Sequence, residues 1–264
     1  MVQEPTENAV LLTSRSGNVV TLTLNRPKQF NALSEALLEA LHAELTRLHG
    51  DSTLQCVVLE AQGKAFCAGH DLKQMRANPE HAYYEALFSR CSEVMQAIVN
   101  LPVPVIAKVH GMATAAGCQL VASCDLVVAS DASSFAVSGI NVGLFCSTPA
   151  VALTRAIPLR KAFEMLVTGE FISAEDAQHY GLVNRVVPPE ALEEETQRLV
   201  ELICAKSPVA VRTGKAMVKR QAAMPLSEAY AYAGAVMAEN MMAEDAGEGI
   251  DAFIEKRAPH WTGR

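Results

Sequence analysis

The stretch that most constrains the fold is His110 to Asp125, HGMATAAGCQLVASCD. A β-branched run, Val105-Ile106-Ala107-Lys108-Val109, precedes it and reads as a buried strand. Small residues follow at Gly111, Ala113, Ala115, Ala116 and Gly117, and the pattern then turns helical through Leu120 and Val121. A strand that passes through small residues straight into a helix lets a ligand approach the backbone closely. The first N–H groups of such a helix lack internal partners and carry the positive end of its dipole. Donors near Ala116 and Gly117 can therefore hold a developing negative oxygen. Taken alone, the stretch favours the plainer reading of tight helix–strand packing.

A second stretch changes the balance. Lys64 to Met75, KAFCAGHDLKQM, follows another buried strand, Cys56 to Ala61, and ends in a helix start at His70-Asp71. Two Gly/Ala turns then each follow a strand and each open a helix. Two backbone donors from separate loops are what an oxyanion hole needs.

The rest of the chain alternates in the same way. Val10–Arg15 and Val19–Leu24 flank Ser16-Gly17-Asn18 as a hairpin. Ser34 caps a helix to about His49, with Leu37, Leu38, Leu41, Leu45 and Leu48 on one face. A helix is expected from about Glu80 to Asn100, then a strand, the central turn, helix 116–122 and a strand at 126–129. Phe135–Phe145 reads as a short strand and a glycine-containing loop. Helices follow over 148–157 and 161–168, Ser173 starts another, and Val183–Val187 is a last strand. From Pro189 onward the pattern is helical, with breaks expected at Pro208, Pro225 and near Gly247. Repeated strand, loop and helix argues for an α/β architecture. A core over 1–188 and a helical region over 189–264 are expected.

Asn25-Arg26-Pro27 with Asn31-Ala32-Leu33, the AFCAGHDL block, HGMATAAGCQL with Cys124-Asp125, LVTGEFISAEDAQHYGLVNRVV over 166–187 and EGIDAFIEKR near the C-terminus occur in one order. In that order they resemble the crotonase superfamily, the enoyl-CoA hydratase/isomerase family, and within it the enoyl-CoA hydratase domain-containing branch. The resemblance implies a ββα superhelix with a C-terminal helical region that assembles a homotrimer or a dimer of trimers. It implies an acyl-CoA thioester whose carbonyl accepts from the backbone N–H groups of His70 and Ala116, with Gly117 adjacent. Lys28, Ala68, Leu72 and Lys73 then match positions that line adenine and pantetheine. Phe253 and Lys256 match tail residues that meet coenzyme A phosphates or adenine; their plainer readings are a core aromatic and a solvated lysine. Asp71 caps the helix that follows it. Coenzyme A is part of the substrate, so no separate cofactor and no metal is implied.

The departures matter as much. A hydratase of this family has a glutamate in the central helix where Gln119 stands, and another in a Pro-Glu pair where Ser138 and Gly139 stand. A carboxylate can take and return a proton near neutral pH when its pKa is tuned; a glutamine amide can only hydrogen-bond. One oxyanion donor is worth roughly 10²–10³ in rate and one placed acid or base about 10²–10⁴. The chain is thus expected to keep acyl-CoA binding and carbonyl polarisation while being a weak hydratase, or to run isomerase, decarboxylase or thioesterase chemistry. His70, Gln119, Ser138, Asn141 and Ser147 are candidate polar contributors, with Glu85 and Arg90 possible from the long helix. A catalytically silent acyl-CoA-binding or regulatory protein is the alternative, and a structural subunit joined through its helical tail is the third.

Composition adds exclusions. With 264 residues, 50% of them hydrophobic, the chain can bury one large core or a domain with an appendage. A net charge of −7 disfavours nucleic acid. No apolar run has transmembrane length and MVQEPTENAV is polar and acidic, so a cytoplasmic location is expected, with an organellar one open if a presequence was removed. Seven scattered cysteines without a CxxC pair read as reduced, packed thiols, Cys67 included.

Overall fold

The computed structural model describes residues 9–264. Its strands are β1 (Leu11–Ser16), β2 (Val19–Leu24), β3 (Cys56–Ala61), β4 (Ala65–Cys67), β5 (Val105–Val109), β6 (Met112–Thr114), β7 (Leu126–Ser130), β8 (Ser134–Ala136), β9 (Ile172–Ser173) and β10 (Arg185–Val187). Its helices are α1 (Glu35–His49), α2 (Leu72–Ala77), α3 (His81–Asn100), α4 (Ala116–Ser123), α5 (Ser147–Ala156), α6 (Leu159–Thr168), α7 (Ala174–His179), α8 (Leu192–Cys204), α9 (Pro208–Gln221), α10 (Leu226–Asn240) and α11 (Glu244–Glu255).

Two compact units emerge. The first comprises the described residues to Leu101 with Val105–Thr196; the second comprises Pro102–Pro104 with Gln197–Arg264, so the division falls inside α8. In the first unit a six-stranded sheet has the order β1-β2-β3-β5-β7-β10 and a four-stranded sheet the order β4-β6-β8-β9. The β1–β2 hairpin is antiparallel and the rest of the large sheet is parallel. Successive strand pairs divide between the sheets. β3, β5 and β7 lie in the large sheet, while β4, β6 and β8 pair parallel in the small one. A helix leaves after each of the pairs β3–β4 and β5–β6, and a 3-10 turn at Ser138–Val142 followed by α5 leaves after β7–β8. That repeat is a spiral of ββα units.

The local reasons are those the pattern carries. Ser34 Oγ accepts from the Leu37 N–H, and all five leucines of the α1 stripe are buried. Asp125 Oδ2 accepts from the Val105 N–H while the Asp125 N–H donates back to the Val105 carbonyl, which locks the start of β5 to β7. Ser173 caps α7 through the Asp176 N–H.

Two expected boundaries move. The last strand spans only Arg185–Val187, because Asn184 is used in a turn where its Oδ1 accepts from the Val127 N–H. The break expected near Gly247 lies at 241–243 instead, and α11 runs through Gly247. Asp245, in the first turn of α11, explains the shift. Its buried carboxylate accepts from Ser207 Oγ, from Thr262 and from the Gly263 N–H, tying the C-terminal segment to the helix start. Among the described residues no helix is long and apolar enough to cross a membrane.

Candidate active site

Three neighbouring strands of the small sheet, β4, β6 and β8, each run out at their C-terminal ends into a loop and a helical turn. Ligands in parallel α/β sheets sit beyond such strand ends, and here the three loops wall one cavity of about 390 Å³. The first loop supplies Ala68, His70, Leu72 and Met75; the second supplies Ala115 and Ala116; the third supplies Ser138, Gly139, Val142 and residues 144–149; Phe88 of α3 closes one side.

The first two loops nearly touch. Gly69 has φ +88, and a Cβ there would lie 3.2 Å from the Ala116 nitrogen and 2.8 Å from Ala115 Cβ, so only glycine fits. The Leu33 N–H donates to the Gly69 carbonyl and the Asp71 N–H donates to the Leu33 carbonyl. In a parallel bridge of this kind the intervening residue's own N–H points to the opposite edge, which turns the His70 N–H away from Leu33. Ala115 sits at φ 51, ψ −122 as the N-cap of α4, with no side chain capping the helix. An alanine in that region stores on the order of 1–3 kcal/mol. Its N–H donates to the Ala136 carbonyl at 3.0 Å and its carbonyl accepts from the Gln119 N–H, so the strain is held by bonds on both sides.

The early motif is the scaffold for these loops. The Arg26 guanidinium donates to Asp71 Oδ2 at 3.0 Å and to the Ala32 carbonyl. Buried Asn31 accepts from the Arg26 N–H and donates to the carbonyls of Gln62 and Ala65. Asp71 also caps α2 through the Lys73 and Gln74 N–H groups. Burial alone would raise its pKa, but Arg26 and the two N–H groups outweigh it and hold the carboxyl below its ordinary value.

His70 is the distinctive side chain. Its ring meets Phe88 edge-on at 5.4 Å. Both ring nitrogens are buried without a hydrogen-bond partner, each an arrangement costing about 1–3 kcal/mol. Burial pushes its pKa down to about 4; the Leu33 carbonyl lies toward the ring and opposes this slightly without meeting hydrogen-bond geometry. Nearby, Thr114 Oγ1 and Ser138 Oγ pair at 2.7 Å.

The cavity gathers Ala68, His70, Leu72, Ala116, Ser138, Gly139 and Ser147 from the expected residues and leaves others out. Gly117 is a packing residue: a Cβ on it would fall 2.1 Å from the Cys67 carbonyl oxygen. Gln119 is 4% exposed, does not line the cavity, and leaves its Oε1 unpartnered. Lys28 and Lys73 are exposed and point to no wall of it. Glu85 and Arg90 are exposed rather than inward, Glu85 lying 3.3 Å from His81. Asn141 donates to the Gly169 carbonyl instead of lining the cavity. In the second unit Phe253 is 85% exposed, so the core-aromatic reading is wrong, and Lys256 is exposed at the left-handed end of α11. Cys67 donates to the Asn31 carbonyl and its pKa is pushed up to about 12 by burial, in keeping with a packed thiol.

Sequence reasoning missed the third wall. Val142, Leu144 and Phe145 line the cavity yet remain 65%, 43% and 42% exposed. Apolar side chains in a loop with neither helical nor strand period were the available signal. Gly139 belongs to the same wall: a Cβ there would meet Cys146 Sγ and the Leu144 carbonyl oxygen, both at 2.7 Å. No carboxylate and no Lys or Arg lines the cavity among the described residues.

A spiral of ββα units with a cavity at the strand ends defines the crotonase class of α/β protein. The family model described as enoyl-CoA hydratase/isomerase matches residues 14–264, and the chain belongs to that family. An enoyl-CoA hydratase of Mycobacterium smegmatis is 60% identical with a TM-score of 0.95, covering 98% of this chain and 99% of that one. The human enoyl-CoA hydratase domain-containing protein 3 is 45% identical with a TM-score of 0.93, covering 96% and 100%. Among curated relatives, the mitochondrial enoyl-CoA hydratase domain-containing protein 3 of Rattus norvegicus is 48% identical over 250 residues, 95% of this chain and 83% of that protein.

Proposed function

We propose that the chain binds an acyl-CoA thioester in this cavity and polarises its carbonyl between the backbone N–H groups of His70 and Ala116. The observation that carries the reading is the convergence of the two loops at Gly69, within reach of the Ala116 nitrogen. Ala68 and Leu72 then flank the thioester arm, and within the first unit Lys28 and Lys73 are the residues left for the nucleotide end. Carbonyl polarisation stabilises the enolate of hydration, isomerisation and decarboxylation, and equally the tetrahedral oxyanion of thioester hydrolysis. Hydration by two carboxylates is disfavoured, because the positions expected to hold them are Gln119 and Gly139. The absence of any carboxylate on the cavity wall, among the described residues, also supports a second reading: an acyl-CoA-binding protein without turnover. The exposed apolar residues of α10 and α11 support assembly as a homotrimer or dimer of trimers.

The deciding measurement is titration of crotonyl-CoA into the purified protein, with loss of enoyl absorbance followed in parallel. Saturable binding with slow hydration is expected. Gln119→Glu should leave hydration slow, because a side chain at 119 is buried off the cavity wall and does not set its carboxylate beside the acyl group. A glutamate at 139 is not a usable restoration, since the Leu144 carbonyl and Cys146 occupy its space. Fast wild-type hydration would show that other groups do the proton transfer. Lack of binding to any CoA ester would end the proposal.

A further inference from the structure

Residues 260–264 lie in a socket that α11, the end of α8 and the start of α9 build in the second unit. Its floor is Asp245, in the first turn of α11 and 2% exposed. Asp245 Oδ1 accepts from the Thr262 N–H at 2.7 Å, from Thr262 Oγ1 at 3.1 Å and from the Gly263 N–H at 3.2 Å. Asp245 Oδ2 accepts from Ser207 Oγ at 2.7 Å, and the Asp245 N–H donates to the Arg264 carbonyl at 3.0 Å. Ser207 Oγ also accepts from the Ala210 N–H and so caps α9. The Trp261 indole N–H donates to the Ala205 carbonyl, just past α8. Nearer the middle of α11, Glu248 accepts from the His260 N–H and from the Arg257 guanidinium.

Two glycines match this segment. A Cβ on Gly249 would lie 3.0 Å from the Trp261 ring, which accounts for a residue that otherwise weakens a helix interior. Gly263 takes the left-handed φ of +77 beside Pro208. A buried carboxylate persists only with donors around it, and Thr262 and Gly263 supply most of those around Asp245. Asp245, Gly249 and Ala252 share one face of α11, and Asp245 and Ala252 are buried. Ile250, Phe253 and Ile254 occupy the far side and are exposed. We propose that residues 257–264 are a strap that latches α11 in its seat with that apolar side turned outward. With the strap open, Asp245 loses most of its donors and reaches water only if α11 leaves the seat. Strap and helix therefore open together. This inference goes beyond the acyl-CoA reading and stands without it.

The test is hydrogen exchange read by mass spectrometry on the full chain, with Trp261 emission in parallel, since Trp261 is the chain's one tryptophan. In wild type, 244–255 and 260–264 should share one degree of protection. Gly249→Leu places side-chain atoms where the indole lies, and Asp245→Asn removes an acceptor. Gly247→Ala is the control, because nothing lies within 4 Å of an added Cβ there. In whichever socket variant folds, emission should shift to the red. Exchange should quicken by about 10-fold over both segments together, the size of one lost hydrogen bond. The amides of α10 should keep their wild-type rate, and Gly247→Ala should change none of these readings. Separate protection of the two segments in wild type, unshifted emission in the variants, a faster strap over an unchanged α11, or equal quickening of α10 would each overturn the inference.

Discussion

An imidazole whose pKa lies near 4 is neutral throughout the physiological range, which fixes His70 as a hydrogen-bonding group and not as a cation. It also makes the residue a source of acid lability. In the unfolded chain His70 titrates near its ordinary value of about 6.5. Between about 6.5 and 4 the unfolded state therefore takes up a proton that the folded state refuses. Stability is complete above that window and is lost as pH falls through it. The shift corresponds to at most about 3 kcal/mol at pH 4. His70→Phe keeps the edge contact with Phe88 and removes the titration, so urea unfolding at pH 7, 6, 5 and 4 should show a shallower acid decline than wild type by that amount. Parallel declines would mean that burial of the ring is relieved before unfolding. The sequence made His70 and Ala116 legible, because Gly/Ala turns after strands signal close backbone approach. It did not reveal that the Gln119 side chain lies off the cavity wall, since position on a short helix buried at all but one residue says nothing about which neighbour a side chain faces.

At the scale of elements, the seating of α4 on β4 governs the site. The first turn of α4 comes so close to Cys67 that position 117 admits no side-chain atom. Gly117→Ala improves helix propensity in isolation, yet must force the helix off the strand. Overpacking of this kind costs about 1–3 kcal/mol and sometimes more. Gly234 in α10 has nothing within 4 Å of an added Cβ, so Gly234→Ala should stabilise by up to about 1 kcal/mol. The same chemical change should thus move the urea midpoint in opposite directions; a shared sign would show that packing at Gly117 is softer than the distances imply. Elements with a clear period were readable: the α1 leucine stripe and its Ser34 cap, the hairpin, and α3 between its prolines. Elements set by long-range bonds were not. Asp245 starts α11 early because residues far along the chain donate to it, and the loop over 142–146 is ordered by its own turns, Gly143 N–H to Ile140 and Leu144 N–H to Gly139.

At the scale of the whole molecule, the second unit exposes more apolar surface than solvation favours. Tyr230, Met237 and Met242 along α10 and its end, with Phe253 and Ile254 on α11, are each more than two-thirds exposed. Exposed apolar patches of this kind mark association surfaces on soluble proteins, and methionine suits irregular interfaces because its side chain adapts. Over 197–264 the buried apolar side chains are few, Leu199, Val200, Ala229 and Ala252, so covering these faces adds stabilisation at about 25 cal/mol per Å² of apolar area removed from water. If the proposed trimer is right, light scattering on the eluting protein should give three or six chains at micromolar concentration. Met242→Glu combined with Phe253→Glu should shift it toward one, because buried unpaired carboxylates oppose association. Acyl-CoA titration of that variant then separates two roles for Phe253. Affinity retained in the monomer assigns the residue to assembly, and affinity lost together with assembly assigns the nucleotide end of the site to the oligomer.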